Sequence, residues 1–508
     1  MLLSRDIPYI LEDVIEKQLT MPLDLAFARK HISPSNEKAF AFLAVSSALW
    51  RYGYPFLHAK DNKLCPTLPG ITEEALYEYF QHVPEHVRSS LFVLKNHKIY
   101  LKSLYNVQTQ LFDKLDLLSR ANPRYSLISL SNNTSLTKEQ QQVMHHALNS
   151  CFSIICGGPG TGKTFLAVQM ILALLSIYPN IHIGVVSPTG KATSHIRQIL
   201  NSYDIPPETV FTKTIHKFLQ EHTYNRHSPT DLLIVDEGSM VTFNLLHNLV
   251  KTLSGKYEKK KITADALIIL GDTNQLPPIG IGAGNPLQEI VVRFPERTSY
   301  LSTSHRAKTS ELQNLAQSIL RKEMIPFTPL PSRQSTITLL KKTFIDALSA
   351  FKKELCVLTP MRHGPWGFLS LNTLIFQEIQ KTHAHLPIPV MVTERYDAWK
   401  LCNGDTGWLC PKTQQLSFPH RSNINAKDFS YYNYNYVMSI HKSQGSEYEN
   451  VIILIPPGCE IFNSSLLYTA VTRAKKNVCV WADKETLRQI IQKSRNYSML
   501  SNKFGSLS

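Results

Sequence analysis

Nowhere in its 508 residues does this chain bring two cysteines into a C-x-x-C pair, and its eight cysteines include no His/Cys grouping of zinc spacing. That excludes a zinc-ribbon scaffold and a dithiol redox motif. Thiols scattered in this way are expected to be reduced, several of them core residues, in a cytoplasmic compartment. Long apolar runs are also missing, so no bilayer-spanning helix and no membrane partner is expected. The opening stretch, MLLSRDIPYILEDVIEKQL, carries acids inside its apolar pattern and lacks the unbroken apolar core of a signal peptide. Acidic residues are under-represented: 39 Asp and Glu stand against 54 Lys and Arg, a net charge of +15. That excess favours polyanions, with nucleic acid first among them. No repeat of solenoid spacing and no nuclease-like carboxylate cluster is visible.

Against these absences, the run GGPGTGKTF at 157–165 is dense with information. It fits G-x-x-x-x-G-K-S/T, follows an apolar run at 152–156 and opens an apolar helical pattern at 165–177. Glycines let the backbone amides of such a loop turn inward toward phosphate oxygens, and the helix adds its positive end. Lys163 is placed to reach the β- and γ-phosphates, and the Thr164 hydroxyl to hold magnesium. The loop as a whole, Gly157, Gly158, Pro159, Gly160, Thr161 and Gly162, is expected to cradle a nucleoside triphosphate.

Two further strand-then-polar motifs follow. In LLIVDEGSM, at 232–240, four apolar residues deliver Asp236 and Glu237. Adjacent carboxylates after a buried strand are costly unless a cation compensates them. Asp236 is assigned to Mg²⁺, and Glu237 to orienting or deprotonating the attacking water. In LIILGDTNQLPPIG, at 267–280, Gln275 is positioned to sense the γ-phosphate. Arg306, in LSTSHRA, and Arg473, in YTAVTRAKK, are candidates to stabilise charge on the transferring phosphoryl group.

Apolar strands alternate with helical patterns from residue 136 to 321, with strands expected at 152–156, 182–187, 232–235 and 266–270. This is the pattern of a parallel sheet covered by helices. After a proline-rich bridge at 325–332, a second α/β region is expected, with strands at 355–359, 451–455 and 478–481 and an inserted β-module at about 388–436. Within that module FSYYNYNY reads as a half-buried strand. Residues 1–115 read as a small helical, partner-docking domain, with 116–325 and 333–508 as the two α/β domains. The basic KYEKKK run at 256–261 reads as a solvated loop, and 129–135 as a linker.

In order, LTKEQ, GGPGTGKT, SPTGKAT, TIHKFL, DEGSM, GDTNQLPPIG, SHRA, MSIHKSQGSEYENV and LLYTAVTRAKK resemble the motif set of superfamily 1 DNA helicases. Within that group the SIHKSQGSE and YTAVTRA wording resembles the RecD family, the alpha subunits of exodeoxyribonuclease V. So do RHGPWGFLSLNTLI, VMVTERYDAWKLCNGDTGWL and QLTMPLDLAFAR. The resemblance implies two RecA-like P-loop NTPase domains, ATP and Mg²⁺ as cofactors, and 5′-to-3′ travel on DNA. It implies that Gln140 recognises adenine and that Gly445 and Glu447 lie near the ribose. Pro188, Thr189, Thr214, His216, His441, Lys442 and Ser443 would contact single-stranded DNA. The implied partners are a single-stranded tail at a duplex end and RecB-like and RecC-like subunits, any cutting being left to a partner. A stand-alone helicase and a nucleotide-gated scaffold without motor activity remain alternatives. Gly238 stands where an alanine is common after the DE pair, a change of little expected consequence.

Overall fold

The computed structural model describes residues 8–16, 19–123, 125, 135–223, 230–253, 255–258, 261–280, 282–303, 310–349, 355–394, 396–399, 401–418, 421–460 and 462–493. Arg306 lies outside them, as does most of the linker expected at 129–135. The architecture is α/β, built on two parallel sheets. The first has six strands, in the order Thr298–Leu301, Phe152–Gly157, Ala266–Gly271, Leu232–Val235, Ile183–Ser187, Val210–Thr214. Every pairing in it is parallel. Its central strands are apolar without alternation because helices cover both faces. Leu233, Val235, Leu267 and Ile269 point into one core with the helices Phe243–Thr252 and Pro286–Arg293. Leu232, Ile234, Ile268 and Leu270 point into the other, with Lys138–Leu148 and Lys163–Ile177.

The helix Lys102–Arg120 belongs to the first of these cores: Leu111, Phe112, Leu115 and Leu118 pack there. The expected boundary at 115 therefore falls inside a helix that covers the first sheet. The second parallel sheet runs Thr328–Pro329, Ala474–Ala482, Tyr448–Ile455, Leu355–Thr359, Val437–Ser439. Both sheets are of the RecA-like kind. A five-stranded antiparallel sheet occupies 388–434 and shares a core with the second half. Within it Tyr434 stacks on Phe376 at 4.1 Å between ring centres and Tyr436 is buried, which suits a half-buried strand.

Two elements differ from expectation. Beside its helices, the N-terminal region holds a four-stranded antiparallel sheet, Lys63–Cys65, Phe56–Lys60, Lys98–Leu101, Phe92–Lys95. Its hairpins turn through Asp61–Asn62 and Asn96–His97, all four at positive φ. Of the basic run expected as a loop, 256–258 and 261 belong instead to the paired strands Gly255–Glu258 and Lys261–Ala264, extended by Asn122–Pro123, while 259–260 lie outside the described residues.

The N-terminal sheet meets the first half at a buried carboxyl group. Glu289, on the helix Pro286–Arg293, accepts a hydrogen bond from Gln108 and lies near Lys98 and Tyr100. Burial raises its pKa to about 7, against the pull of Lys98 and Gln108. A carboxyl whose folded pKa is raised keeps its proton longer when folded. Stability is therefore expected to fall as pH rises from about 4.5 to about 7, then to level off, by on the order of 3 kcal/mol from this group. Glu289→Gln should flatten that slope and stabilise the protein above pH 7; an unchanged slope in urea melts across this window would refute the assignment.

Candidate active site

The strand Phe152–Gly157 runs into the phosphate loop, and the helix Lys163–Ile177 leaves it. Gly162 caps that helix at φ 84°, and a Cβ there would stand 2.9 Å from Gln140 Nε2. Only glycine serves both demands. Gln140 is buried because Thr137 and Gln140 form a capping box at the start of Lys138–Leu148. The adenine candidate thus sits against the phosphate loop. Lys163 Nζ donates to the carbonyls of Gly157 (2.6 Å) and Gly158 (3.0 Å), curling over the loop.

Asp236 and Glu237 end the strand Leu232–Val235, two strands from the loop. Thr164 Oγ1 donates to Asp236 Oδ2 at 3.3 Å, and the Glu237 amide to Oδ1 at 2.9 Å. Burial first, and the Glu237 carboxylate after it, raise the Asp236 pKa to about 6; Lys163 and Thr164 oppose this. Glu237 holds a left-handed backbone, φ 55°, a strained conformation of the kind that clusters at functional sites. A buried carboxyl beside a hydroxyl is a donor set that fits a magnesium ion. No group of three or more His, Cys, Asp or Glu among the described residues forms a metal cage, so phosphate and water would complete the ligand shell.

Gly238 corrects the expectation of a neutral replacement. A Cβ here would stand 2.6 Å from Ile269 Cγ2 and 2.9 Å from the Leu270 carbonyl. The backbone after the acidic pair presses directly on the neighbouring strand. Gly238→Ala is expected to destabilise the fold by about 1–3 kcal/mol through overpacking. A melting temperature equal to the parent's would contradict this.

Asp272 begins the third motif and gathers three donors: the Asn274 amide at 2.9 Å, Gln275 Nε2 at 3.3 Å and Tyr468 Oη at 3.1 Å. The tyrosine comes from the second half. Two more bonds cross with it, from the Leu276 amide to Thr469 Oγ1 (2.8 Å) and from Gln444 Nε2 to the Leu276 carbonyl (3.1 Å). Tyr468 also approaches the phosphate loop, 3.2 Å from where a Cβ on Gly158 would stand. Gln275 Oε1 is a buried acceptor with no hydrogen-bond partner among the described residues, which fits a bound water or ligand.

Arg473 lies in this seam, 3 % exposed. Its Nε donates to the Thr469 carbonyl at 3.0 Å and Nη1 to the Ser446 carbonyl at 3.3 Å. Burial lowers its pKa, while Glu237 and Asp272 in the first half favour the charged form. The guanidinium and the two carboxylates therefore act on one another across the halves. Tyr468, Thr469, Asp272 and Gln444 were not singled out from sequence; each lies inside a motif, but its partner lies in the other half.

Pro188 and Thr189 follow the strand Ile183–Ser187, Thr214 ends Val210–Thr214, and His441 and Lys442 follow Val437–Ser439. All lie at carboxyl ends of parallel strands, where open α/β sheets bind ligands. His216 and Lys442 are exposed. His441 is held neutral, its pKa lowered by burial to about 4. Ser443 is a correction: it is fully buried and its hydroxyl donates to the Ile440 carbonyl at 2.7 Å, so it shapes the turn from inside. Thr189 is itself a cap for the helix Gly190–Asn201, accepting from the Ala192 amide. A Cβ on Gly445 would stand 3.9 Å from Thr189 Oγ1, which sets Gly445 against the first half. Glu447 follows it, just before the strand Tyr448–Ile455.

Two RecA-like sheets, a phosphate loop and an arginine reaching the seam from the far half are the parts that an ATP-dependent helicase needs. Residues 140–281 match the AAA domain family and residues 434–481 the UvrD-like helicase C-terminal domain family. The chain is 25% identical over 472 residues to the RecBCD enzyme subunit RecD of Haemophilus influenzae, covering 72% of each chain. The Mycobacterium tuberculosis protein of the same name is 27% identical over 417 residues, 70% of each chain. The ATP-dependent RecD2 DNA helicase of Deinococcus radiodurans is 26% identical over 367 residues, 67% of this chain and 48% of that one. A Bacteroides Pif1 helicase solved with ADP-AlF3 and single-stranded DNA superposes at a TM-score of 0.47 with 16% identity, covering 73% of this chain and 97% of that one. The chain is thus similar to RecD proteins along most of its length, and it is an ATP-dependent DNA helicase.

Proposed function

We propose that this protein is the 5′-to-3′ motor subunit of a RecBCD-type complex that processes duplex ends in double-strand break repair and recombination. The observation that carries the motor reading is the seam: Asp272 to Tyr468 and Leu276 to Thr469 tie the phosphate site of one half to the Arg473 element of the other. Lys163 and the loop amides would bind the β- and γ-phosphates, with Gln140 beside the base. Thr164 and Asp236 would hold Mg²⁺, which supplies charge neutralisation on the phosphate oxygens. Glu237 would orient water and accept its proton, and Arg473 would stabilise charge that develops on the γ-phosphate. Arg306 is proposed for the same role from its motif.

Because both halves hold the nucleotide, its turnover alters how tightly they close, and closure alters the grip on DNA. Pro188, Thr189, Thr214, His216, His441 and Lys442 would form that track. The net charge of +15 suits a sequence-independent, salt-sensitive hold on phosphates. The RecD names of the relatives support the complex, and residues 1–115 are proposed as its docking region. The test is unwinding of a duplex with a 5′ tail against one with a 3′ tail, for the protein alone and copurified with its partners. ATP-dependent unwinding from the 5′ tail is expected; unwinding only from the 3′ tail would overturn the polarity, and full activity without partners the subunit role.

A further inference from the structure

The segment that follows Gln275 connects the seam with the N-terminal module. At its start, Leu276 is bonded on both its amide and its carbonyl to Thr469 and Gln444 of the second half. Pro277 and Pro278 come next, each with its φ fixed by the ring. At its far end, the Gly282 amide donates to the Trp50 carbonyl at 2.7 Å and the Gly284 amide to the Gly53 carbonyl at 3.0 Å. Trp50 lies in the last turn of the helix Glu37–Arg51, whose apolar residues fill the N-terminal core.

Side chains hold the same junction. A Cβ on Gly282, at φ 57°, would stand 2.0 Å from Leu104 Cδ1, so Leu104 rests on the bare glycine backbone. Just beyond the segment, the helix Lys102–Arg120, which leaves the N-terminal sheet and covers the first parallel sheet, donates from Gln108 to Glu289 and pairs its Asp116 with Arg293 at 2.6 Å. One continuous stretch thus has its beginning fixed to the second half and its end fixed to the N-terminal module.

We infer that the described residues 275–280 and 282–285 act as a strap that carries the nucleotide state of the seam to the N-terminal module, with Leu104 as its positioning residue. This rests on the reading of Gln275 and Arg473 as groups that respond to the γ-phosphate. Through the strap, closure of the two halves changes the seating of the module, and a partner bound to the module changes closure in return.

Hydrogen exchange on the full chain, with and without AMP-PNP and Mg²⁺, tests it. The expected result is protection of the phosphate loop together with a changed exchange rate at the Gly282 and Gly284 amides. In Leu104→Ala the loop should remain protected while the response at Gly282 and Gly284 is lost. Gly282→Ala is the second variant, with the same expectation. A protected phosphate loop with unchanged exchange at Gly282 and Gly284 in the parent would overturn the strap, as would an intact response in both variants. No protection of the phosphate loop would overturn the nucleotide site and the strap with it.

Discussion

Lys163→Ala is expected to reduce DNA-stimulated ATP hydrolysis by on the order of 10³-fold while leaving the fold intact. The side chain is half-buried, and its hydrogen bonds among the described residues go to carbonyls of its own loop, at Gly157 and Gly158; it also favours the Asp236 carboxylate, so its loss should raise the Asp236 pKa further. Those carbonyls are not a substitute for phosphate: they carry partial charges, and a triphosphate carries full ones. An ammonium drawn off them onto the β- and γ-phosphates contributes most where negative charge shifts during transfer. Circular dichroism and melting should match the parent. Phosphate release at the parent's rate would show that the loop does not hold the reacting phosphates.

Arg473→Ala has the second large effect, and a different signature. It should slow turnover by on the order of 10³-fold or more while weakening nucleotide binding far less, since a guanidinium that reaches the γ-phosphate matters most in the transition state. Arg473→Lys is not expected to restore activity, because an ammonium cannot reproduce the planar fork that now spans Thr469 and Ser446. Loss of the cation also removes the favourable partner of Glu237 and Asp272, so some loss of stability should accompany it. Equal losses in kcat and in nucleotide affinity would make Arg473 a ground-state ligand only.

The parallel sheets were legible because their strands are short apolar runs that end in chemistry. The runs 232–235 and 355–359 match observed strands to the residue. The N-terminal sheet was not. Its strands, FLHAK, KLC, FVLK and KIYL, are too short to show a period against their helical surroundings. A signal was present in the Asp-Asn and Asn-His pairs, which take positive φ in two-residue hairpins without glycine. The pairing of 255–258 with 261–264 was hidden by the lysines of the sequence, whose charge outweighed the strand propensity of Tyr257 and Ile262.

Within the candidate site, residues whose role is local were readable and residues whose role is relational were not. Lys163, Thr164 and Asp236 follow from a loop and a strand end. Tyr468 reads in sequence as one more apolar residue of the helix Ser464–Val471, and only the three-dimensional arrangement sets its hydroxyl on Asp272. Gly238 has the same lesson in reverse: glycine for alanine looks neutral until the Leu270 carbonyl is seen beside it.

A structure with Mg²⁺ and a non-hydrolysable ATP analogue tests the shared seam most directly. The account predicts a triphosphate lying in the phosphate loop, with Lys163 from one half and Arg473 from the other both within hydrogen-bonding distance of the γ-phosphate. An analogue bound away from that loop, or bound there with Arg473 still turned to Thr469 and Ser446 and out of reach, would contradict it.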